Sequence, residues 1–339
     1  MLKKLCKSVS TKIFKTVSVF IWSGFGNLPA TIQVIIMGKA INLSAKHLLL
    51  ALFTVLIWGL NFIAIHYGLN GFPPLLLCAV RFGLAAFPWV FVLPRPKAPL
   101  KYIVGYGVFT FVMQFGLLFS GIYMGLSTGL ASLVLQVQVF FSMGLAAFFF
   151  ADKPGVWKIC GSLVSFIGIG IVAFHMGDTS SLVGLVLTIL AALSWSAGNM
   201  FSKKVDAASP LSLVVWGNLV AFPFMALLSF FIEGPERIVG SLQHISLPVV
   251  LAILYIVYLS THVGYGIWGS LLNSYATATV VPFTLLIPVI GFLSAAVVLK
   301  EPLPFWKILA SLFVMAGLVF NLLEKYILTI FKSFKSGNR

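Results

Sequence analysis

Apolar runs of about 18 to 25 residues, separated by short polar stretches, follow one another along most of the chain. A helix that crosses a hydrocarbon core of roughly 30 Å needs about 20 such residues. The alternating ten-residue strands expected of a membrane barrel do not occur in the sequence. The pattern predicts an all-α polytopic membrane protein with ten transmembrane helices at about 48–67, 73–93, 101–122, 127–150, 157–175, 182–203, 211–232, 247–271, 277–299 and 305–323.

The second half of the chain repeats the first with an offset of about 149 residues. In this register Thr128 falls on Thr277, Asp152 on Glu301, and the Trp-Lys-Ile sequence at 157–159 on that at 306–308. Because each half holds five spans, an odd number, two alike halves must face opposite sides of the membrane. We therefore predict two inverted five-helix repeats, at 47–176 and 177–324, between a basic extension at 1–46 and a basic tail at 325–339.

Composition agrees with lipid as the solvent. Hydrophobic residues make up 60% of the chain and charged residues 9%, whereas a soluble domain has about a quarter of its residues charged. The connections between the runs are mostly short, and they leave no room for a soluble catalytic domain. Any function must lie inside the bundle.

The net charge of +15 is distributed unequally between the two sides that the ten spans define. The side of both termini collects nearly all Lys and Arg residues, whereas the opposite side keeps Arg237, Lys300 and Lys307. By the positive-inside bias, both termini are predicted to be cytoplasmic, in a multi-pass protein of the bacterial inner membrane. These charges indicate topology and contact with anionic lipid rather than nucleic acid.

The extension at 1–46 does not read as a span, because lysines interrupt it and its apolar pieces are too short. A surface-lying amphipathic helix is one interpretation, and a cleaved signal peptide is less favoured because no cleavage motif follows a continuous apolar core. The interpretation we favour is a native start at Met37, with residues 1–36 outside the native protein.

Arg81 is the one Arg or Lys residue well inside a span, and the apolar runs contain no Asp or Glu to neutralise it. A guanidinium in this setting must use backbone carbonyls, polar side chains, water or a substrate carboxylate. Arg81 is thus a candidate for anion recognition, with the fixing of a helix pair as the structural alternative.

Asparagines occur at corresponding places in the first and sixth spans. Asn61 follows Trp58 by three residues and Asn199 follows Trp195 by four, so each pair shares a helix face. An amide facing lipid is costly, so both should point into the bundle. They either flank a central cavity or bond to a neighbouring helix.

The third, fourth and ninth spans add further polar groups and prolines. Gln136 shares a face with Ser132, and helix geometry rotates Gln138 by roughly 200° from Gln136. Pro282 and Pro288 free backbone groups inside the membrane, which is tolerated only next to protein or a water-filled cavity. A broken ninth helix, with Pro288 at the substrate pathway, is predicted.

The eighth span is the richest in aromatic residues. A stripe at spacings of three and four comprises Tyr255, Tyr258, His262, Tyr265 and Gly269, with Trp268 beside it. Aromatic walls suit an amphipathic or cationic solute, although a packing seam gives the same pattern. His262 is a candidate proton site, because a free imidazole has a pKa of about 6.5; a neutral, hydrogen-bonded histidine is the alternative.

Motifs for other chemistry are missing from the sequence. The cysteines Cys6, Cys78 and Cys160 have no paired spacing, no phosphate-binding loop occurs, and no acidic pair or nucleophile beside a base lies in the spans. We predict no catalytic residue, no metal site and no cofactor. Energy coupling is left open between protons carried by His262 and facilitated flux.

The residues Trp58-Gly59-Leu60-Asn61-Phe62, Arg81-Phe82, 129–136 and 263–269 resemble the EamA-type branch of the drug/metabolite transporter superfamily. The resemblance covers about 37–323 and is closest to bacterial exporters of O-acetylserine and cysteine. It implies a central substrate cavity and alternating access.

The function expected is a secondary transporter that exports small amino-acid metabolites of the cysteine and O-acetylserine type. The predicted substrate pathway comprises Asn61, Arg81, Gln136, Asn199, Tyr265, Trp268 and Pro288. The alternatives are an importer of a larger metabolite such as S-adenosylmethionine on the same fold and, more remotely, a passive channel or an intramembrane enzyme. A small molecule and the bilayer are the partners expected, and the sequence leaves the oligomeric state open.

Overall fold

The computed structural model describes residues 32–36, 39–150, 154–175, 182–205, 210–275 and 277–337. The expectations for a start at Met37 and for residues 1–31 lie outside this range, as does Asp152. Within the extension, strands β1 (Ile32–Ile36) and β2 (Lys39–Leu43) pair antiparallel, with Ile32 opposite Leu43. The described part of the extension is therefore a hairpin rather than the surface helix.

Nine helices in the described ranges are long and apolar enough to cross a membrane. They are α1 (Ala45–Leu69), α2 (Pro74–Phe91), α3 (Leu100–Tyr123), α4 (Thr128–Phe149), α5 (Val156–Phe174), α6 (Leu182–Ser202), α7 (Pro210–Glu233), α8 (Leu247–Ser274) and α9 (Val281–Val298). The tenth, α10 (Phe305–Gly337), carries a shorter apolar stretch over Phe305–Asn321. The predicted all-α polytopic architecture is confirmed.

Local chemistry sets several helix ends. The Ser44 hydroxyl accepts a hydrogen bond from the His47 amide at 3.2 Å and starts α1. Pro74 occupies the first position of α2, where its missing N–H leaves no bond unmade. After α7, Gly234 has a φ of 83°, which a residue with a side chain rarely adopts, and a short helix, Pro235–Gln243, follows.

Helices α5 and α10 meet where the sequence repeat places matching small residues. A β-carbon added at Gly161 would lie 2.6 Å from the Gly317 carbonyl oxygen, and one at Gly168 would lie 2.7 Å from that of Ala310. In the repeat, Gly161 corresponds to Ala310 and Gly168 to Gly317, so each of the two contacts is the counterpart of the other. Because the position along α5 rises as that along α10 falls, the helices run antiparallel around a twofold axis, and the halves are inverted.

A hydrogen bond lies on this axis. The Ser165 hydroxyl donates to the Val314 carbonyl oxygen at 3.0 Å, and the two residues are separated by 149 positions. Each is therefore the counterpart of the other in the repeat. The duplication in the sequence is thus also a duplication in space.

Irregular helical turns occur at matching places in the two halves. Helix α3 contains a π-helical turn at Val108–Met113, and α8 contains one at Tyr255–Gly264. Helix α4 contains a 3₁₀ turn at Leu135–Val137, and α9 begins with one at Val281–Leu285. The predicted break in the ninth span lies there, and such turns often mark functional sites.

Two carboxylates bind the amino-terminal ends of distant helices. Glu301 accepts from the Thr128 amide at 2.7 Å and the Gly129 amide at 3.2 Å, at the start of α4. Glu233 accepts from the Leu75 and Leu76 amides of α2, at 2.7 and 2.9 Å. Both satisfy backbone donors that a helix leaves unpaired and complement the helix dipole.

The Glu233 cap leads to a stability prediction. We expect Glu233→Ala to lower the free energy of unfolding by about 2 kcal/mol, because it leaves two backbone donors without their charged acceptor. Glu236→Ala, three residues further on and exposed, should change it by less than about 0.5 kcal/mol. Thermal unfolding of both variants in detergent measures the difference, and equal midpoints would contradict the cap.

Candidate functional site

A cavity of about 620 Å³ lies between the two halves of the bundle. Both halves contribute neutral polar side chains, and aromatic side chains cover much of the remaining wall. The polar residues of its lining are Asn61, Arg81, Thr110, Gln114, Ser132, Gln136, Gln138, Asn199, Ser202, Ser260 and Thr284, and the aromatic residues are Trp58, Phe62, Tyr106, Phe115, Trp195, Tyr265 and Trp268. Of the residues predicted for the substrate pathway, six line this cavity; whether they contact a substrate stays a prediction.

Arg81 lies in the cavity wall and is 3% exposed. Its guanidinium carbon lies 4.0 Å from the ring centroid of Phe115 and 5.8 Å from that of Phe119. Its Nε and Nη1 atoms have no hydrogen-bond partner in the described part of the chain. Aromatic faces stabilise the charge but accept no strong hydrogen bonds, so these two buried guanidinium nitrogens are left without a strong acceptor in the described part of the chain.

Neutral acceptors surround the same space. Gln114 and Asn61 are 3% and 8% exposed, and among the described residues their side-chain oxygens have no donor. The Thr110 hydroxyl is likewise buried and unpaired within the described chain. Buried polar atoms normally have partners. These three unpaired atoms therefore lie within the wall, next to the residues that form its surface.

The aromatic side of the cavity is a packed group of rings. The Trp58 ring centroid lies 5.4 Å from that of Tyr265 and 5.3 Å from that of Trp268. The Trp58 indole also donates to the Ser260 carbonyl oxygen at 3.1 Å. These rings support one another across α1 and α8, so they form a firm apolar wall.

The two asparagines and two glutamines meet at the cavity from both halves. The Asn199 amide donates to the Ser142 hydroxyl at 3.4 Å and also lines the cavity; its role in the substrate pathway stays a prediction. Gln136 and Gln138 both line it, although ideal α-helix geometry places them on nearly opposite faces. The intervening 3₁₀ turn, with 3.0 residues per turn, reduces that angular separation.

Pro288 and His262 do not line the cavity. The Pro288 carbonyl oxygen accepts from the Ser132 hydroxyl at 3.5 Å, so Pro288 lies behind the wall. The His262 ring nitrogens lie 2.8 Å from the Val257 and 3.0 Å from the Ala85 carbonyl oxygens. A neutral imidazole can donate to one of these two oxygens. The substrate-pathway role of Pro288 and the proton role of His262 stay predictions.

The residues of the stripe predicted on the eighth span have different surroundings. Tyr255 bonds to the Ile57 carbonyl oxygen at 2.9 Å, whereas Tyr258 is 40% exposed. Tyr265 and Gly269 line the cavity. Tyr258 and His262, four residues apart within the π-helical turn, stack with ring centroids 5.7 Å apart.

His262→Gln tests the proton role. Because the His262 ring lies outside the cavity lining, we expect the dependence of transport on a pH gradient to be the same in the variant and the parent protein. The measurement is uptake into proteoliposomes with and without an imposed gradient. A gradient effect that disappears in the variant would instead establish His262 as the proton carrier.

Sequence reasoning missed several hydroxyl residues of the wall. Thr110 precedes Gln114 by four residues, so the shared helix face was a usable signal. Ser202, Ser260 and Thr284 also line the cavity, and each is a polar residue within a predicted apolar run. The described residues contain no group of three or more His, Cys, Asp or Glu side chains that could hold a metal ion.

Comparison with known proteins gives a family. The model of the EamA-like transporter family matches residues 45–174 and again 182–323. A "Probable amino-acid metabolite efflux pump" of Salmonella typhimurium is 43% identical over 285 residues, which cover 82% of this chain and 95% of the relative. A protein of the same name in Escherichia coli is 39% identical over the same shares.

More distant proteins agree. An "Uncharacterized transporter" of Archaeoglobus fulgidus is 25% identical over 80% of this chain and 97% of its own. A crystal structure with 16% identity superimposes with a TM-score of 0.54 and covers 82% of this chain and 97% of its own, which supports the fold. The duplicated family match and the close relatives identify a multi-pass transporter rather than an enzyme, and the chain belongs to the EamA-like transporter family.

Proposed function

We propose that the protein exports small amino-acid metabolites, of the cysteine and O-acetylserine type, across the bacterial inner membrane by alternating access. Its central cavity is the substrate site. The observation that carries this proposal is Arg81, a buried residue of the cavity wall with two guanidinium nitrogens that have no hydrogen-bond partner in the described chain. A carboxylate is the group that an arginine fork binds best among those of amino-acid metabolites.

The inverted halves support alternating access. Transporters built from inverted repeats bind substrate between the halves and expose the site to either side by moving one half against the other. Here the cavity lies between the halves, and its lining comes from both. The relatives named as efflux pumps support the outward direction.

Vesicle transport tests this function. In proteoliposomes preloaded with unlabelled cysteine, we expect counterflow of labelled cysteine and of labelled O-acetylserine that saturates with concentration. Vesicles of defined orientation give the direction. Flux without saturation or counterflow would indicate a passive channel instead.

Import of a larger metabolite is the alternative that one observation favours. A volume of about 620 Å³ lies in the range of pockets that hold drug-sized ligands, so a solute larger than cysteine fits. Uptake of labelled S-adenosylmethionine into the same oriented vesicles separates the two functions. Export of cysteine without uptake of S-adenosylmethionine supports the first.

Cytoplasmic termini are part of the proposal. Lys97 and Glu236 are exposed residues of the α2–α3 and α7–α8 connections, which the predicted topology places on opposite sides. On intact cells, a membrane-impermeant maleimide should label a cysteine at position 236 and leave one at position 97 unlabelled. The reverse pattern would contradict the orientation.

A further inference from the structure

We propose that the cavity recognises the carboxylate of its solute and has no charged partner for the solute's ammonium group. Carboxylates with an acylated, uncharged nitrogen are then bound about as well as zwitterionic amino acids, and they are also transported. This inference rests on the proposed function and specifies its substrate class.

The charge on the described part of the cavity wall is positive, with no negative side chain beside it. Among the described residues that line the cavity, Arg81 is the one charged side chain, and the other polar groups are amides and hydroxyls. Arg81 is 3% exposed, so water screens its charge only weakly. A solute that brings one negative charge neutralises the site, whereas a zwitterion adds an ammonium group close to the guanidinium.

Glu233, Glu236 and Glu301, the carboxylates whose side chains the structure describes, are not available to an ammonium group in the cavity. Glu301 binds the start of α4 and Glu233 the start of α2, through backbone amides at 2.7 to 3.2 Å. Glu236 is exposed on the short helix after α7. None of the three lines the cavity.

The packed group of Trp58, Tyr265 and Trp268 is a poor substitute for a carboxylate. Trp58 packs against both Tyr265 and Trp268 with centroid distances of 5.4 and 5.3 Å. Rings so close together leave no space between them for a cation. One exposed face gives an ammonium group a weaker partner than a carboxylate does.

An acylated nitrogen suits the remaining groups of the wall. Acylation removes the positive charge and leaves an amide with one N–H donor and one carbonyl acceptor. The side-chain amide of Gln136, a partly exposed residue of the cavity lining, can accept from the N–H through its oxygen and donate to the carbonyl oxygen through its nitrogen. The cavity of about 620 Å³ has room for the added acyl group.

Competition with matched solutes tests the inference. In proteoliposome counterflow of labelled cysteine, under reducing conditions, cysteine, N-acetylcysteine and cysteinamide are each titrated as competitors. We expect the half-inhibitory concentration of N-acetylcysteine to be no more than threefold that of cysteine. The half-inhibitory concentration of cysteinamide should be at least tenfold that of cysteine. A value for N-acetylcysteine above threefold, or for cysteinamide below tenfold, overturns the inference.

Labelled N-acetylcysteine distinguishes a substrate from a blocker. Counterflow of this label supports the inference, and inhibition without its movement overturns it. If labelled cysteine itself shows no counterflow and no other carboxylate replaces it, the proposed function fails and the inference with it. Transport of cysteine with selective rejection of N-acetylcysteine leaves the proposed function standing and removes the inference alone.

Asp206→Asn is the control for a carboxylate outside the described residues. Asp206 precedes the cavity-lining Pro210 by four positions in the sequence. We expect the ratio between the half-inhibitory concentrations of N-acetylcysteine and cysteine to be unchanged in this variant. A selective loss of cysteine binding of threefold or more would reveal an ammonium partner and overturn the inference.

Discussion

Counterflow of carboxylate-bearing solutes is expected to fall roughly 10- to 100-fold when Arg81 is replaced by glutamine. The expected loss is that of hydrogen bonds to a charged group, about 1.5 to 3 kcal/mol, where 1.4 kcal/mol corresponds to tenfold. The transport rate of Arg81→Lys should lie between those of the parent protein and Arg81→Gln, because an ammonium keeps the charge but not the planar fork. Initial rates across a range of solute concentrations measure the effect.

Stability separates a substrate-binding role from a structural one. Removing the guanidinium relieves the burial of a charge, which offsets the loss of its contact with Phe115. The thermal midpoint of Arg81→Gln should therefore stay within a few degrees of the parent value. A large fall in the midpoint, with transport lost in proportion, would mean that Arg81 holds α2 against α3.

Arg237→Gln serves as the matched control. Arg237 is also an arginine in contact with an aromatic residue, and it donates to the Tyr123 hydroxyl at 2.8 Å. It is exposed and lies outside the cavity lining. Transport by this variant should equal that of the parent protein, so a comparable loss there would remove the special role of Arg81.

The second large effect is expected at the contact between α5 and α10. Gly161→Leu should lower the thermal midpoint by roughly 2 to 12 °C, because even one added carbon would lie 2.6 Å from the Gly317 carbonyl oxygen. The estimate follows from an overpacking cost of about 1–3 kcal/mol and roughly 2–4 °C per kcal/mol in a large domain. Gly161→Ala should give a smaller shift in the same direction.

The same helix offers a control. Gly170 is exposed, and a β-carbon added there would meet nothing within 4 Å. Gly170→Leu should leave the midpoint unchanged or raise it slightly, since leucine favours a helix more than glycine does. Thermal unfolding of the three variants in one detergent decides the matter, and equal midpoints for Gly161→Leu and Gly170→Leu would contradict the close approach.

The sequence was sufficient for the architecture because that depends on repeated, local signals. Apolar length predicts the spans, and the offset between Asp152 and Glu301 predicts the duplication that the bond from Ser165 to Val314 confirms. An isolated arginine in an apolar run was also enough to single out Arg81. These signals need no knowledge of the partner residues.

Features that depend on distant partners or on irregular backbone could not be predicted in this way. Glu301 reads as a loop carboxylate, because its partners at the start of α4 lie more than 170 positions away in the sequence. The π-helical turn at Tyr255–Gly264 changes which residues share a face. His262, which stacks on Tyr258, contacts the Ala85 backbone, and neither residue lines the cavity.

The reciprocal contact between α5 and α10 has the form of an isologous dimer interface, in which one surface meets a rotated copy of itself. Gly161 meets Gly317 in the way that Gly168 meets Ala310, so neither helix needs a surface shaped for a different partner. A half-length ancestor with this surface would have formed the same seam with a second copy of itself, inserted the other way up.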